Sequence, residues 1–441
     1  MRGALVLRQI SPHVPQSISF LALTRFDGGQ HAVLSVYNTL KNVSRLTTQG
    51  SYVLPIVGVH WVVQQFESKR CSYMKIKAVI ASEKDKVFSY EDVEIDAPRE
   101  DEIRVKIMAV GLCHTDVIAR EGLYQLGRDA VLGHEGAGIV EKVGKNITKV
   151  KPGDRVAISF RSCGTCRRCG QDNSAYCTDF IGLNISGKRQ DGSSSLRQEG
   201  KELASNFFGQ SSFASHAITY ETNVVILPDD VPFEIAAPLG CGIQTGAGTV
   251  LRSLTCEAGS SIIVTGCGTV GLSAVMAAKI AGCDQIIAIE PVASRRQLAV
   301  SLGATHTIDP TEHEDFEAAI RDIIPAGVDY AVDTTGRRLT LENLTRCFTT
   351  NGVLALVGMP TSLDDDFQIT GVQFLASGLT VKGIIEGNSH PDIFIPQLMD
   401  YYRNGQLPVD DLIKTYPLSD IDKAVHDHHA GNCVKAVLIP K

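Results

Sequence analysis

The sequence predicts an α/β protein in which a mostly β domain is followed by a doubly wound parallel sheet. Residues 74–240 contain short stretches that alternate apolar and polar residues, such as 102–110, separated by glycines and Pro-Gly-Asp turns. From Ser260 the pattern changes to repeated units of buried strand, glycine turn and helix, which favours parallel strands. The length of 441 residues also exceeds one ordinary hydrophobic core.

The elements of the second half can be placed one by one. Apolar runs predict strands at residues 262–265, 285–290, 328–333 and 353–358. Helical patterns occupy residues 270–281 and 294–302. The parallel sheet is expected to end near residue 379, and the tail to return to the first domain. The predicted division is an N-terminal extension (1–73), a first domain (74–242), a second domain (243–379) and a C-terminal return (380–441).

The N-terminal extension differs in charge from the rest of the chain. Residues 1–73 carry seven basic and two acidic side chains, so their net charge is +5 and that of the remainder is −12. This composition resembles a transit peptide, which would imply mitochondrial import. The alternative is an upstream segment that is disordered or follows a mistaken start, because Met74 opens a strand-like segment. The second interpretation is preferred, and it predicts a cytoplasmic protein.

The overall composition excludes several classes of partner. Hydrophobic residues make up 44% of the chain, charged residues 21%, and the formal net charge is −7. A negative protein has no electrostatic reason to bind nucleic acid or an anionic membrane surface. Apolar runs are also too short to span a bilayer. We therefore expect neither nucleic acid nor a membrane as a partner.

Four of the twelve cysteines crowd into fifteen residues. The spacing Cys-x2-Cys-x2-Cys-x7-Cys, formed by Cys163, Cys166, Cys169 and Cys177, supplies four thiolates from one loop. Four sulfur ligands close a tetrahedral zinc site, and an iron–sulfur cluster is the competing interpretation. Such a metal site implies a reducing compartment. Five further cysteines have no partner motif and are expected to be plain thiols: Cys71, Cys256, Cys283, Cys347 and Cys433.

A second candidate metal site combines residues that are distant in sequence. Cys113, His134 and Cys241 each lie in a glycine-bearing turn. Three protein ligands on zinc leave a fourth position for a substrate oxygen, which is the arrangement of a catalytic site. The histidines near the C-terminus, His426, His428 and His429, have no cysteine nearby and are expected to be solvated on a surface helix.

A glycine-rich loop indicates a dinucleotide site. Gly266, Gly268 and Gly271 form a GxGxxG pattern between an apolar strand and a helix, where such a loop places a pyrophosphate at a helix N-terminus. Glu290 ends the next strand, where a carboxylate binds the ribose hydroxyls and repels the extra phosphate of NADP. NAD is therefore favoured over NADP. Cys267, inside the loop, is expected only to fill space.

From Met74 to the end, about five-sixths of its length, the chain resembles the zinc-containing medium-chain alcohol dehydrogenases. The sequences Gly-His-Glu-Gly-Ala-Gly from Gly133 and Glu-Lys-Val-Gly from Glu141 are similar to the zinc signature of that family. The four-cysteine loop follows Lys-Pro-Gly-Asp-Arg-Val, as in the family's structural lobe. The resemblance implies a GroES-like catalytic domain, a Rossmann NAD-binding domain, and one catalytic and one structural zinc. The set of two cysteines and one histidine is the one known from alcohol dehydrogenases.

The resemblance also implies roles for residues next to the catalytic ligands. Asp116 and Glu135 would orient the zinc site from behind. Thr115 would accept the proton of the alcohol and pass it to the nicotinamide ribose. Many relatives end this relay with a histidine, whereas this chain has Ile118, so that the relay must end in water or another histidine.

Three further residues match family positions that contact the cofactor. His114 and Lys435 correspond to residues that bind the pyrophosphate, and Arg295 to a basic residue near the adenosine ribose. Relatives also form dimers or tetramers through the edge of the coenzyme domain, so we expect a homo-oligomer.

The substrate is expected to be a primary alcohol of the aryl or allylic kind. The stretches beginning at Lys188, Asn206 and Gly240 look most like the aryl-alcohol branch of the family. One alternative is a glutathione-dependent formaldehyde dehydrogenase, and another is a non-enzymatic sensor that keeps the zinc and nucleotide sites. Quinone and enoyl reductases of the same superfamily generally lack the zinc ligands, which argues against them.

Overall fold

The computed structural model describes strands β1 (Ile18–Arg25) and β2 (His31–Asn38), then residues 73–313, 315–360 and 366–440. β1 and β2 form an antiparallel hairpin that pairs Ile18 with Asn38. This hairpin belongs to a unit, residues 1–70, that is separate from residues 71–441. The rest of the predicted extension lies outside the described residues. In the described parts of the chain, no helix is long and apolar enough to cross a membrane.

The first half of the larger unit is built mainly from two sheets whose neighbouring strands run antiparallel, except for one parallel pair formed by the C-terminal strands. One has the order β10-β9-β4-β3-β6, and β3 begins at Met74 as the sequence predicts. The other has the order β12-β8-β7-β5-β20-β19, with β11 paired to β5. The strands of this half are β3 (Met74–Ala81), β4 (Phe88–Ile95), β5 (Ile103–Gly111), β6 (Ala130–Val131), β7 (Gly136–Val143), β8 (Arg155–Ile158), β9 (Leu196–Gln198), β10 (Lys201–Glu202), β11 (His216–Thr219) and β12 (Val224–Ile226).

The C-terminal strands β19 (Ile413–Pro417) and β20 (Lys435–Ile439) complete the second of these sheets. β20 runs antiparallel to the end of β5 and pairs Val437 with Gly111. Because β20 begins at Lys435, this pairing places that lysine beside the turn that carries Cys113.

Six parallel strands form the remaining sheet, in the order β15-β14-β13-β16-β17-β18. They are β13 (Ser261–Thr265), β14 (Gln285–Ile289), β15 (His306–Ile308), β16 (Val328–Asp333), β17 (Phe348–Leu356) and β18 (Thr380–Gly383). Relative to β13 the order is 3-2-1-4-5-6, the Rossmann arrangement, in which ligands bind where the order reverses. The predicted fold class is thus confirmed. The sheet extends four residues beyond the predicted limit of 379, since β18 pairs with β17 as an edge strand.

The helices connect these strands and cover the parallel sheet. They are α1 (His114–Arg120), α2 (Phe180–Asn184), α3 (Phe233–Leu239), α4 (Gly242–Gly248), α5 (Thr269–Ala281), α6 (Ala293–Leu302), α7 (Glu317–Ile323), α8 (Arg338–Leu344), α9 (Gly371–Ser377), α10 (Pro391–Arg403) and α11 (Ile421–His429). A π-helical segment, Thr249–Leu254, continues α4. α4 and α5 pack closely, which brings the Cys241 loop to the glycine loop that follows β13.

Candidate active site

The three predicted catalytic ligands converge on one point. Cys113 follows β5, His134 precedes β7, and Cys241 is the N-cap residue of α4. One ligand atom from each, together with a carboxylate oxygen of Glu135, lies within 4.8 Å of all the others. His134, Glu135 and Cys241 are buried and Cys113 is half-buried. Residues 128 positions apart in sequence are therefore brought to one potential metal site.

Asp116 determines the orientation of His134. Its Oδ1 atom lies 2.9 Å from Nδ1 of His134 and accepts a hydrogen bond from the Gly133 N–H, while Oδ2 accepts one from the Cys113 N–H. This contact turns Nε2 toward the two sulfurs, and Nε2 is buried without a hydrogen-bond partner. A buried imidazole nitrogen without a partner, facing two thiols, is the donor set that zinc prefers, so these residues fit the ion.

The charges of the site influence one another. The hydrogen bond from Cys241, and the nearby His134 ring, hold the pKa of Cys113 well below that of an ordinary thiol. Conversely, the Cys113 sulfur and burial raise the pKa of Cys241. Burial opposes protonation of His134, but the Asp116 carboxylate raises the pKa of this ring well above its usual value. The arrangement favours a thiolate at Cys113, the form that binds metal.

Two aromatic rings pack against the imidazole of His134. Phe208 stacks on the imidazole with ring centroids 4.5 Å apart, and Phe207 meets it edge-on at 5.7 Å. Tyr124 packs against Phe207 at 6.2 Å, and burial raises the pKa of its hydroxyl to about 12. In the sequence, Phe207 and Phe208 stand out only as part of the stretch from Asn206 that looks like the aryl-alcohol branch. Their contact with His134 could not be predicted, because it depends on a turn with positive φ angles at Asn206 and Phe208.

The four cysteines of the predicted structural site also come together. Their sulfurs lie within 4.8 Å of one another, with 3.5 Å between Cys166 and Cys169 and 3.9 Å between Cys163 and Cys169. The backbone N–H of Cys163 donates to the sulfur of Cys177, and that of Cys166 to the sulfur of Cys163. Backbone donors from Cys169 and Thr178 lower the pKa of Cys166 to about 5. The loop fits one tetrahedral zinc ion.

The glycine loop lies where the order of the parallel sheet reverses. Gly266 follows β13 with a φ of 84°, and its N–H donates to the carbonyl of Ile289 on the neighbouring strand. A side chain at Gly271 would place its Cβ atom 1.7 Å from the Gly266 carbonyl oxygen, whereas a Cβ atom at Gly268 would meet nothing within 4 Å. The loop is therefore tight on its inner side and open at Gly268, where α5 begins, which suits a pyrophosphate.

Comparisons with known proteins agree with this geometry. Residues 99–229 match the alcohol dehydrogenase GroES-like domain, and residues 269–401 match the zinc-binding dehydrogenase domain. The chain is 41% identical over 350 residues to geraniol dehydrogenase of Castellaniella defragrans, covering 79% of this chain and 93% of that protein. It is 34% identical to a probable S-(hydroxymethyl)glutathione dehydrogenase 1 of Schizosaccharomyces pombe, covering 82% and 96%.

A solved structure, benzyl alcohol dehydrogenase from Acinetobacter calcoaceticus, superposes with a TM-score of 0.80 at 40% identity, over 83% of this chain and all of that one. The chain belongs to the zinc-containing medium-chain alcohol dehydrogenases. It is therefore an oxidoreductase, and the GroES-like and Rossmann folds implied by the resemblance are confirmed.

In this alcohol dehydrogenase, Glu290 follows β14 and lies beside the glycine loop. Its Oε2 atom accepts a hydrogen bond of 2.7 Å from the Cys267 N–H, and Oε1 accepts one from the Val292 N–H. Arg295 donates to the carbonyls of His428 and Cys433, so its guanidinium is directed toward the C-terminal segment. Cys267 is fully buried, and burial raises its pKa to about 12, in keeping with a residue that fills space.

Lys435 of the dehydrogenase pairs with Glu135 instead of facing solvent. The distance between Nζ and Oε2 is 2.5 Å, and both side chains are fully buried. Lys435 also donates to the Leu112 carbonyl, while Oε1 of Glu135 accepts from the Gly242 N–H. The ion pair thus ties β20 to the loops that carry Cys113 and Cys241.

The predicted proton relay begins beside Cys113. The Cys113 sulfur lies 3.7 Å from the Thr115 hydroxyl, His114 is exposed, and Ile118 is half-buried. Of the C-terminal histidines on α11, His426 and His429 are exposed as expected. His428 is half-buried instead, because it faces Arg295 and Lys435, and burial together with these cations lowers its pKa to about 4.

The structure also contains a buried residue near Cys241 that the sequence analysis missed. Glu386 accepts a hydrogen bond of 3.0 Å from Nε2 of Gln244, one turn after Cys241, and burial raises the pKa of its carboxyl group to about 7. It comes from the segment after β18, 145 residues from Cys241, where no motif indicates it. Of the expected plain thiols, Cys256 and Cys283 share a hydrogen bond, and Cys71 lies outside the described residues.

Proposed function

We propose that this alcohol dehydrogenase catalyses the reversible oxidation of primary aryl or allylic alcohols to aldehydes, with hydride transfer to NAD. One observation carries the proposal: two cysteine sulfurs and the Nε2 atom of His134 converge on one point, and the aromatic rings of Phe207 and Phe208 pack against His134. Three protein donors leave room for one substrate oxygen. Flat aromatic walls suit a flat, apolar substituent on the carbinol carbon.

We infer two zinc ions per chain. Cys113, His134 and Cys241 would hold the catalytic ion, and the four-cysteine loop would hold the structural one. Zinc, when bound at the first site, supplies a Lewis acid that lowers the pKa of the alcohol hydroxyl. Asp116 keeps the His134 ring in the tautomer that presents Nε2, and the ion pair of Glu135 with Lys435 fixes the loops behind it. Thiolate ligands persist in a reducing compartment, so we place the protein in the cytoplasm.

Other residues around the metal site would transfer the proton and bind the pyrophosphate. Thr115, beside Cys113, accepts the proton of the alcohol and passes it toward the nicotinamide ribose. His114 would hold the pyrophosphate, whose charge would also face the N-terminus of α5, whereas Lys435, to which the resemblance assigns the same role, is buried and paired with Glu135. Since Ile118 cannot carry a proton, the relay would end in water or another histidine.

NAD is the cofactor that the ribose site supports best. Glu290 presents a buried carboxylate where the extra phosphate of NADP would lie. The neighbouring guanidinium groups are both engaged within the chain: Arg295 binds backbone carbonyls, and Arg296 forms an ion pair of 2.8 Å with Asp309. The buried carboxylate of Glu290 disfavours a phosphate, and both guanidinium groups beside it already have partners within the chain.

The homo-oligomer would form at the edge of the parallel sheet. Within the part of the chain that the structure describes, β18 is paired only with β17, and α9 exposes Val372 and Leu375 by 79% and 83%. Exposed apolar side chains beside an open strand edge favour pairing with a second copy. Light scattering should give at least twice the mass of one chain, and Leu375→Lys should shift the protein toward the monomer. A wild-type monomer would contradict this part of the proposal.

The test is the initial rate of NADH formation with benzyl alcohol, geraniol and ethanol, each with and without a chelator. We expect chelator-sensitive rates that are highest with the aryl and allylic alcohols. Cys113→Ser should abolish turnover while NAD binding persists, and Cys256→Ser serves as the matched control.

The same assay separates the two alternatives. A glutathione-dependent formaldehyde dehydrogenase would require the adduct of formaldehyde with glutathione and would not oxidise benzyl alcohol. A non-enzymatic sensor would retain two zinc ions per chain and bind NAD without turnover on any alcohol. Either outcome would overturn the proposed substrate class.

A further inference from the structure

We propose that Glu386 is a positioning residue for Cys241, and that the turn carrying it links the four-cysteine loop to the catalytic site. The proposal rests on the catalytic metal site proposed above. The segment from Gly383 to Ser389, called the strap here, lies between the two metal loops.

The strap presents Glu386 to the beginning of α4 through a buried network. Gln244, one turn after Cys241, donates from Nε2 to Glu386 Oε2 at 3.0 Å and to the Gly240 carbonyl at 2.6 Å. The Ser389 hydroxyl donates to Gln244 Oε1, also at 3.0 Å. Glu386 is only 6% exposed, and Gln244 and Ser389 are fully buried. The polar groups of this network therefore fix α4, and with it the direction of the Cys241 sulfur.

The backbone of the strap is held in an unusual conformation. Glu386, Gly387 and Asn388 have φ angles of 51°, 63° and 54°, so three consecutive residues are left-handed. A Cβ atom at Gly387 would lie 2.2 Å from the Gln244 carbonyl oxygen, which shows how closely the turn approaches α4. Glutamate rarely adopts such angles, and strain of this kind persists only where the surroundings impose it. The strained backbone therefore indicates that the surrounding contacts hold Glu386 in this position.

The other side of the strap is held by the loop of the structural metal site. The Tyr176 hydroxyl donates to the Gly383 carbonyl at 2.6 Å and accepts from the Ile385 N–H. The Ser174 hydroxyl donates to the Ser389 carbonyl. Ser174 and Tyr176 lie just before Cys177, the last ligand of that loop. A continuous set of contacts thus runs from the four-cysteine loop, through the strap, to Cys241.

Cobalt provides a test that does not depend on turnover. In the Co²⁺-substituted protein, the thiolate charge-transfer absorption reports the surroundings of the sulfur ligands. Glu386→Gln replaces the carboxylate behind the start of α4 by a neutral amide, which removes a negative charge near the Cys241 thiolate, so this band should move to higher energy. Co²⁺ release to a chelator should be about tenfold faster or more, as for other residues that support metal ligands. Glu312→Gln, on an exposed turn, is the matched control.

Two further variants keep the test decisive. Glu386→Ala removes the contact altogether and covers the case in which the amide variant does not fold. Tyr176→Phe removes the two hydrogen bonds between the Tyr176 hydroxyl and the strap and leaves every cysteine in place. It should accelerate Co²⁺ release, as the Glu386 variants do. In each, kcat should fall while the KM for NAD stays at the wild-type value, because the glycine loop is unchanged.

Wild-type spectra and release rates in folded Glu386→Gln and Glu386→Ala would overturn the proposal. If the bands shift but the wild-type protein oxidises no alcohol, the positioning role stands and the proposed function fails. If the wild-type protein takes up Co²⁺ only at the four-cysteine loop, both fail together.

Discussion

Lys435 and Glu135 form an ion pair of 2.5 Å in which both side chains are fully buried, directly behind the three converging metal ligands. Burial raises the pKa of the Glu135 carboxyl group, whereas Lys435 opposes that rise. The resemblance assigns this lysine to the pyrophosphate, but in the structure it is buried and neutralises the Glu135 carboxylate.

We predict that Lys435→Met lowers the free energy of unfolding by about 3–5 kcal/mol, because it leaves a buried carboxylate uncompensated. Urea unfolding of the zinc-loaded protein measures this loss. Removing both charges in Glu135→Gln with Lys435→Met should recover much of it, since no unpaired charge then remains. A double variant no more stable than Lys435→Met alone would contradict this explanation.

The four-cysteine loop should behave as an independent metal site. Cys166→Ser removes one of four sulfurs, and a tetrahedral structural site with three ligands should lose its ion and its folded loop. We expect the zinc content to fall from two to one per chain, with new protease cleavage within residues 163–177. Cys256→Ser, outside both metal groups, should keep both ions. Two zinc ions in Cys166→Ser would refute the assignment.

Glu290 should control the choice of cofactor. Replacing it with alanine removes the charge that would repel the phosphate of NADP, so the ratio of kcat/KM for NADP to that for NAD should rise about tenfold, which corresponds to roughly 1.4 kcal/mol. Steady-state rates with both cofactors measure the ratio. Because Glu290 also accepts hydrogen bonds from the loop, some loss with NAD is expected too. An unchanged ratio would show that another residue selects the cofactor.

The parts of this protein that a sequence predicts well are those fixed by local geometry. The four-cysteine loop and the glycine loop each lie within about fifteen consecutive residues, so that their spacing alone indicates the chemistry. The fold class followed from strand and helix periodicity for the same reason. Cys113, His134 and Cys241 were identified through their local turns and a family resemblance, although their convergence needed the fold.

The residues that sequence analysis missed depend on long-range packing. Glu386 reaches Cys241 through a strained turn, and Phe208 meets His134 only because its own φ angle is positive. β18 was missed because an edge strand with exposed residues lacks the apolar run of its neighbours. His428 was expected in solvent, but its burial depends on the packing of α11 beside β20.

Arg189 contributes to stability through long-range ion pairs that the sequence alone does not predict. It was noted only within a stretch that resembles the aryl-alcohol branch, yet its guanidinium is 2% exposed and pairs with Glu102 at 2.6 Å and Asp96 at 2.8 Å. Arg189→Met should lower the free energy of unfolding by about 3–5 kcal/mol, because Glu102 is left buried without its cation. Arg99→Met breaks an exposed pair with Asp191 and should leave the urea midpoint nearly unchanged. Equal effects of the two variants would contradict a special role for burial.

His428 should make stability depend on pH. Burial, and then the charges of Arg295 and Lys435, lower its pKa from 6.5 to about 4 in the folded chain. The folded state therefore keeps the ring neutral while the unfolded chain takes up a proton below pH 6.5. The contribution to stability is full above pH 6.5 and is lost as the pH falls toward 4.

The size of this loss should be roughly 2–3 kcal/mol between pH 7 and pH 4, given about 1.4 kcal/mol for each pKa unit. His428→Gln has no titrating ring, so its urea midpoint should fall less than that of the wild-type protein over this range. His426→Gln, on the exposed face of the same helix, should follow the wild-type curve. Parallel curves for the wild type and His428→Gln would mean that the cations near His428 are screened by solvent in the folded protein.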